Sequence, residues 1–248
     1  MIIIKSPAEV EIMRAAGRVV GQVLKAVSQA VQPGVSTASL DRQAEDMARS
    51  LGAVPAFKGY HGYPYSLCCS VNEQVVHGFP GPAPLKEGDI LSMDFGVILD
   101  GFYGDAATTV AVGAISPQAS DLLTATEASL QAGIAKALPG NHLGDVSSAV
   151  QKAAEGAGFS VVRQFVGHGI GRGLHEEPQV PNFGLPGRGV KLKAGMVLAI
   201  EPMINAGGHE VRILQDGWTA VTVDGKLSAH FEHTVAVTAD GPRILSLP

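Results

Sequence analysis

An α+β fold, in which an antiparallel sheet is covered by helices on one face, is the architecture this sequence predicts, from three observations. Residues 85–112 hold two apolar β-forming runs on either side of Asp100-Gly101, a dipeptide suited to a two-residue hairpin turn. Pairs of helices, not single helices, precede the strands, so consecutive strands are expected to lie side by side and antiparallel. The same order of signals then recurs about one hundred residues later, which predicts a duplicated helix-helix-strand unit.

Taken in order, Ser6-Pro7-Ala8-Glu9 reads as a helix start, with Ser6 as N-cap, Pro7 in the first turn and Glu9 closing a capping box. The helix is expected to run to about Val31, before Pro33-Gly34. A second helix, from about Ser39 to Leu51, carries Leu40, Ala44, Met47 and Leu51 on one stripe, with Gly52 after it. A loop rich in Gly, Tyr and Pro, residues 58–64, leads into a strand-like stretch over 66–76. After the hairpin, Ser116-Pro117 starts a helix to about Leu138, and another is expected from about Asp145 to Ala157.

The repeat is read from four matches. Residues 24–34 resemble 130–140, and Leu51-Gly52 resembles Ala157-Gly158. Leu85-Lys86-Glu87-Gly88 with Asp94 resembles Leu192-Lys193-Ala194-Gly195 with Glu201, and Asp105 with its Thr- and Val-rich sequel resembles Glu232 with its own. Each half lacks the area to bury a core alone, so residues 1–248 are expected to form one domain with halves at about 7–112 and 117–238.

A formal charge of −5 and the absence of any basic run argue against an electrostatic nucleic-acid binder. No apolar stretch reaches the roughly 20 residues of a membrane span. Cys68 and Cys69 are adjacent and cannot staple distant segments, which fits a reducing compartment and a cytoplasmic protein. A monomer is the default expectation.

Chemistry enters through the hairpin. A two-residue turn pairs Leu99 with Phe102, so Gly96 faces Asp105 and Asp94 faces Ala107. Asp94 and Asp105 then share one face as diagonal neighbours. By the repeat, Glu201 and Glu232 form a second inward pair. Any one of these acids alone reads as a surface or strand-edge carboxylate. Four in register cannot all ionise in one pocket without compensating positive charge. Two divalent cations would balance them. His168, in Gly167-His168-Gly169-Ile170-Gly171, is a nitrogen donor beside those acids and favours Mn, Fe, Co or Zn over Mg or Ca. His175 follows on the same glycine-rich loop, and His77 closes a strand before a turn, a place for a substrate-facing imidazole. That loop has no Lys-Ser/Thr ending and is not a P-loop.

The set Asp94, Asp105, His168, Glu201 and Glu232 resembles the five-ligand dimetal site of the type I methionine aminopeptidases. The segments Gly59-Tyr60-His61-Gly62-Tyr63-Pro64, Val71-Asn72-Glu73, His77-Gly78, His175-Glu176-Glu177-Pro178 and Glu201-Pro202 match that family's motifs over essentially the whole chain. The resemblance implies the pita-bread fold and removal of initiator methionine from nascent polypeptide N-termini, with preference for a small second residue and transient association with the ribosome. It implies that Asp105 and Glu232 bridge two divalent metals, that Asp94 binds one, and that His168 and Glu201 bind the other. It makes Glu201 the proton shuttle, His175 the oxyanion donor and His77 a hydrogen-bond partner of the substrate backbone. Tyr60, Tyr63, Cys68 and Trp218 would line the methionine pocket, and Asn72 and Ser228 match a peripheral monovalent-cation site. The short spacing from His168 to Glu201 leaves no room for the insertion of type II enzymes, and the lack of an N-terminal extension points to a bacterial or organellar form. Leu174 departs from a common Phe, and Phe57 stands where Cys can occur. A pita-bread peptidase of Xaa-Pro preference and a non-catalytic pita-bread binder are the competing readings. The pocket residues argue against the first and the full ligand set against the second.

Overall fold

A computed structural model describes all residues, 1–248. Helix α1 (Pro7–Ala30) opens on the expected capping box, with Ser6 Oγ accepting the Glu9 N–H and the Glu9 carboxylate accepting the Ser6 N–H. Its buried stripe, including Val20, Val23 and Val27, lies on the hairpin strands Ile90–Leu99 and Phe102–Ala111. Gly104 permits the close crossing, because a Cβ there would overlap the backbone of Ala16 and Gly17. Helix α2 (Thr37–Ser50) starts two residues earlier than expected, since Ser36 takes the cap by accepting the Ser39 N–H. Its buried side is Leu40, Asp41, Ala44 and Ala48; Leu51 lies past the helix end and is exposed. The expected strand over 66–76 is two strands, Leu67–Val71 and Gln74–Val76, because Asn72 turns the chain at φ +55°. Helix α3 (Pro117–Ile134) stops short of Leu138. Its end tightens into i→i+3 bonds, from Lys136 N–H to Gly133 O and from Ala137 N–H to Ile134 O. Helix α4 (Leu143–Gly156) packs against α3.

The main sheet has nine strands. Its central run is Ile90–Leu99, Phe102–Ala111, Glu232–Thr238, Val197–Ile200 and Gly167–Gly169, with every pairing antiparallel. The two-residue turn holds: Leu99 pairs with Phe102, Gly96 with Asp105 and Asp94 with Ala107. Asp100 and Gly101 both have positive φ, as a type I′ turn requires. Alternation sends Leu91, Met93, Phe95 and Val97 down to α1, and leaves Ser92, Asp94 and Gly96 on the opposite face. In the other half, Leu198, Ile200, Val235 and Val237 pack on Leu130, Ile134 and Val146 of α3 and α4. Helices therefore cover one face of the sheet, as expected of this α+β architecture. The polar residues gather on the other. Two three-stranded sheets complete the fold; one joins Ser160–Val161, Met203–Asn205 and Ser228–His230, the other Gln74–Val76, Val211–Ile213 and Ala220–Thr222. No helix is long and apolar enough to cross a membrane.

Candidate metal centre

Strand register alone assembles the centre. Cys68, Asp94, Ala107 and Glu232 are successive partners in one row across four strands. Side chains two residues apart on a strand share a face, so Asp105 lies beside Ala107 in that row's face. His168 pairs with Ala199, which pairs with Thr234, two residues from Glu232. The Thr234 hydroxyl then takes over from the backbone ladder, accepting the Asp105 N–H at 3.1 Å and donating to the Asp105 carbonyl at 2.7 Å. His168 lies on the strand Gly167–Gly169 and not on the glycine-rich loop, which corrects the expectation that one loop carries both it and His175. Strand placement follows from the Gly167 site, where a Cβ would meet the Ala199 carbonyl of the neighbouring strand.

Electrostatics follow from burial. Desolvation pushes the Asp94, Asp105, Glu201 and Glu232 carboxyls above the usual carboxylate range, and repulsion from neighbouring carboxylates adds to the shift at Asp105, Glu201 and Glu232. Asp94 Oδ1, Asp105 Oδ1 and Glu232 Oε1 are buried with no hydrogen-bond partner. No Lys or Arg forms an ion pair with any of the four; the only basic atoms within 4.0 Å are His Nε2 atoms. Burial also lowers His168, to about 4, so its imidazole is neutral near pH 7. His168 Nδ1 lies 2.9 Å from Gly169 O, a group that only accepts, so Nδ1 carries the proton. The Nε2 lone pair is left facing Glu201 Oε1 at 3.6 Å and Asp105 Oδ2 at 4.0 Å. A hydrogen bond from the far nitrogen is how metal-binding histidines are held. Ligand atoms of Asp105, His168 and Glu232 lie within 4.8 Å of one another, and Asp94 and Glu201 line the same cavity. Buried, unpaired hard oxygens and one imidazole suit divalent cations.

The cavity, about 230 Å³, brings together all eleven residues expected from sequence. His175 is placed by a buried ion pair beside it. Lys5 Nζ donates to Glu176 Oε2 at 2.6 Å, while Glu176 Oε1 accepts the Gly173 N–H, so the N-terminal segment clamps the loop that carries Leu174 and His175. The Tyr60 hydroxyl lies 2.8 Å from His175 Nδ1. Tyr63 donates to Gly78 O and packs edge-on against Trp218 at 5.1 Å. His77 is held below its usual range, to about 4, first by burial and then by His175. Phe57 and Leu174 both join the wall, and Gly96 makes room for the first, since a Cβ there would lie 2.7 Å from the Phe57 ring. Asn72 and Ser228 do meet, Ser228 N–H donating to Asn72 O, but outside this cavity and with the Asn72 amide already bonded to Asp89 and Ile90.

Sequence reasoning missed two residues. His61 lines the cavity mouth from within the Gly59-Tyr60-His61-Gly62 turn. His230, buried and two residues before Glu232, has Nε2 at 3.8 Å from Glu201 Oε2. Its spacing from Glu232 was the available signal, since period two puts both near one face.

A family model, Metallopeptidase family M24, matches residues 11–239. The chain is 57% identical to a methionine aminopeptidase of Clostridium perfringens, over all of this chain and 99% of that one. The crystal structure of methionine aminopeptidase from Thermotoga maritima superposes with a TM-score of 0.98 at 47% identity, covering all of both chains. A prolidase from Pyrococcus furiosus shares the fold, with a TM-score of 0.81 at 20% identity, and this chain spans 66% of it. With that likeness running through the whole length, and with acids clustered around an oriented imidazole, the chain belongs to the methionine aminopeptidases of metallopeptidase family M24.

Proposed function

We propose that this chain removes the N-terminal methionine from nascent proteins and peptides, preferring a small second residue, by water attack on the first peptide bond. One observation carries the reading. Four carboxylates without a cationic partner, Asp105 and Glu232 buried and Asp94 and Glu201 half-buried, and a His168 Nε2 freed by the Nδ1 bond to Gly169, open into a cavity walled by Tyr63, Cys68 and Trp218. Asp94, Asp105, His168, Glu201 and Glu232 would hold two divalent cations from the Co, Mn, Fe or Zn group. Such ions would polarise the scissile carbonyl and acidify the attacking water toward neutral pH.

The chain's own residues do the rest. Glu201 takes the proton of the attacking water and passes it to the leaving amine. His175, its Nδ1 2.8 Å from the Tyr60 hydroxyl, presents an Nε2 proton to the developing oxyanion in the tautomer in which that hydroxyl donates. His77, kept neutral by burial, hydrogen-bonds the substrate backbone. Tyr60, Tyr63, Cys68 and Trp218 offer the thioether an apolar, polarizable wall. A monomeric, cytoplasmic enzyme in transient contact with the ribosome fits a substrate that is a nascent N-terminus, and Asn72 with Ser228 is the place for a peripheral monovalent cation.

The test is turnover of Met-Ala-Ser, Met-Lys-Ser and Xaa-Pro peptides by metal-loaded protein. Fast release of methionine from Met-Ala-Ser alone supports the proposal. Equal rates on Met-Ala-Ser and Met-Lys-Ser would remove the small-residue preference, and faster cleavage of Xaa-Pro would replace the activity.

A further inference from the structure

The Glu201 carboxylate lies between two imidazoles that do different things. On one side Oε1 is 3.6 Å from His168 Nε2, a nitrogen whose proton is on the opposite ring atom, so His168 has no proton to give. On the other side Oε2 is 3.8 Å from His230 Nε2. His230 is 1% exposed, and its Nε2 has no hydrogen-bond partner. A buried polar atom left alone is rare and asks for an explanation.

The ring is not there by slack packing. His230 ends the strand Ser228–His230, where it pairs with Met203. The Thr109 hydroxyl accepts the His230 N–H at 2.9 Å and donates to the His230 carbonyl at 2.7 Å. That uses the one Thr109 proton, so the 2.8 Å contact with Ser92 Oγ has Ser92 as donor. The backbone of Glu201 is held as well, its carbonyl accepting from Asn182 Nδ2 at 3.0 Å. Both main chains are fixed and the two side-chain tips face each other across a gap too long for a direct hydrogen bond. Rotation of the carboxylate closes such a gap.

We propose that His230 is a positioning residue for Glu201, its Nε2–H holding Oε2 so that Oε1 stays turned toward His168 and the reacting water. This rests on the reading of Glu201 as metal ligand and proton acceptor, and adds a residue to it. A carboxylate asked both to bind an ion and to accept a proton has to keep its plane; a donor on the outer oxygen fixes that plane. Asp94, Asp105 and Glu232 each keep a buried oxygen with no donor at all, so Glu201 alone of the four has an imidazole of this kind beside it.

The experiment compares His230→Met, which fills the space without a donor, with His230→Gln, which returns an N–H of similar reach, in the full chain. Mn²⁺ affinity of metal-free protein is read by calorimetry, with kcat and KM for Met-Ala-Ser at saturating Mn²⁺ and the melting temperature of each metal-free variant. His230→Met is expected to weaken Mn²⁺ binding by roughly 10–100-fold and to lower kcat comparably with KM little changed. His230→Gln is expected to recover both to within a few-fold. Wild-type affinity and kcat in His230→Met, or equal damage in the two variants, overturns the inference. Should His230→Met not fold, His230→Asn, whose amide is too short to reach, takes its place against His230→Gln under the same two outcomes. Glu201→Gln separates the levels. If it leaves metal binding and turnover intact, the underlying assignment of Glu201 is what fails; if it is crippled while His230→Met is normal, only the role of His230 fails.

Discussion

The two carboxylate pairs sit on one sheet face but are registered by different means. In the first, Asp94 and Asp105 are joined by a two-residue turn, and the ladder places them diagonally, Asp94 opposite Ala107 and Asp105 opposite Gly96. In the second, His233 pairs with Ile200 at the end of the ladder, which brings the adjoining residues Glu232 and Glu201 together at the ends of neighbouring strands. No tight turn joins these two. The chain leaves after Glu201, builds parts of both small sheets, supplies Trp218 and His230, and only then returns at Glu232. The first pair is set by local turn chemistry, and the second by long-range strand pairing.

Three perturbations sharpen that contrast. The largest effect is expected from removing one acid of either pair: Asp94→Asn and Glu201→Gln should each lower kcat/KM on Met-Ala-Ser by at least about 10³-fold at fixed metal concentration, since each removes charge from one shared centre. A variant from one pair that turns over normally would make the two pairs functionally unequal. Next comes the turn. Gly101→Val forces a β-branched residue to φ +76°, at about 1–2 kcal/mol, or roughly 2–8 °C in melting temperature. It should also weaken metal binding, because Asp94 and Asp105 depend on that register. Gly225→Val, with φ +72° and open space around it, carries the same strain but should leave metal affinity alone. Isothermal titration and thermal melts of the two variants decide this.

The smallest effect is a pH slope. In the metal-free protein the four buried acids hold protons that the unfolded chain releases, so their folded values are raised and stability falls as pH rises. The buried histidines act oppositely: lowered in the folded state, they cost stability only as pH drops below about 6.5, the unfolded value. Between pH 6.5 and 8 the acids therefore dominate, and the melting temperature of metal-free protein should decline with pH while saturating Mn²⁺ flattens the curve. A rising or flat metal-free curve would contradict the burial of four uncompensated acids.

The same difference explains what could be read before the structure. Asp100-Gly101 fixed its neighbours by local rules, so the partners of Asp94 and Asp105 were legible to the residue. Glu201 and Glu232 were legible only through the repeat, which gave their face but not the strand pairing of Ile200 with His233 that brings them together. Helix starts were legible where a serine cap stood alone, as at Ser6. They slipped by two residues where Ser36 and Ser39 competed, and the end of α3 was misplaced because its last turn tightens before Pro139-Gly140 is reached. His168 read as a loop residue because glycines flank it, yet those glycines let two strands close on either side. His230 went unseen because a lone histidine has many bland explanations until a fold places it against Glu201.

Whether two differently registered strand pairs build one centre for the two proposed ions is read by calorimetric titration of the metal-free chain with Mn²⁺ under anaerobic conditions. Two ions per chain are expected in the wild type. Asp94→Asn should weaken one binding step and Glu201→Gln the other, while Asp105→Asn disturbs both. A single ion whose affinity ignores either Asp94 or Glu201 would contradict one shared centre for two ions.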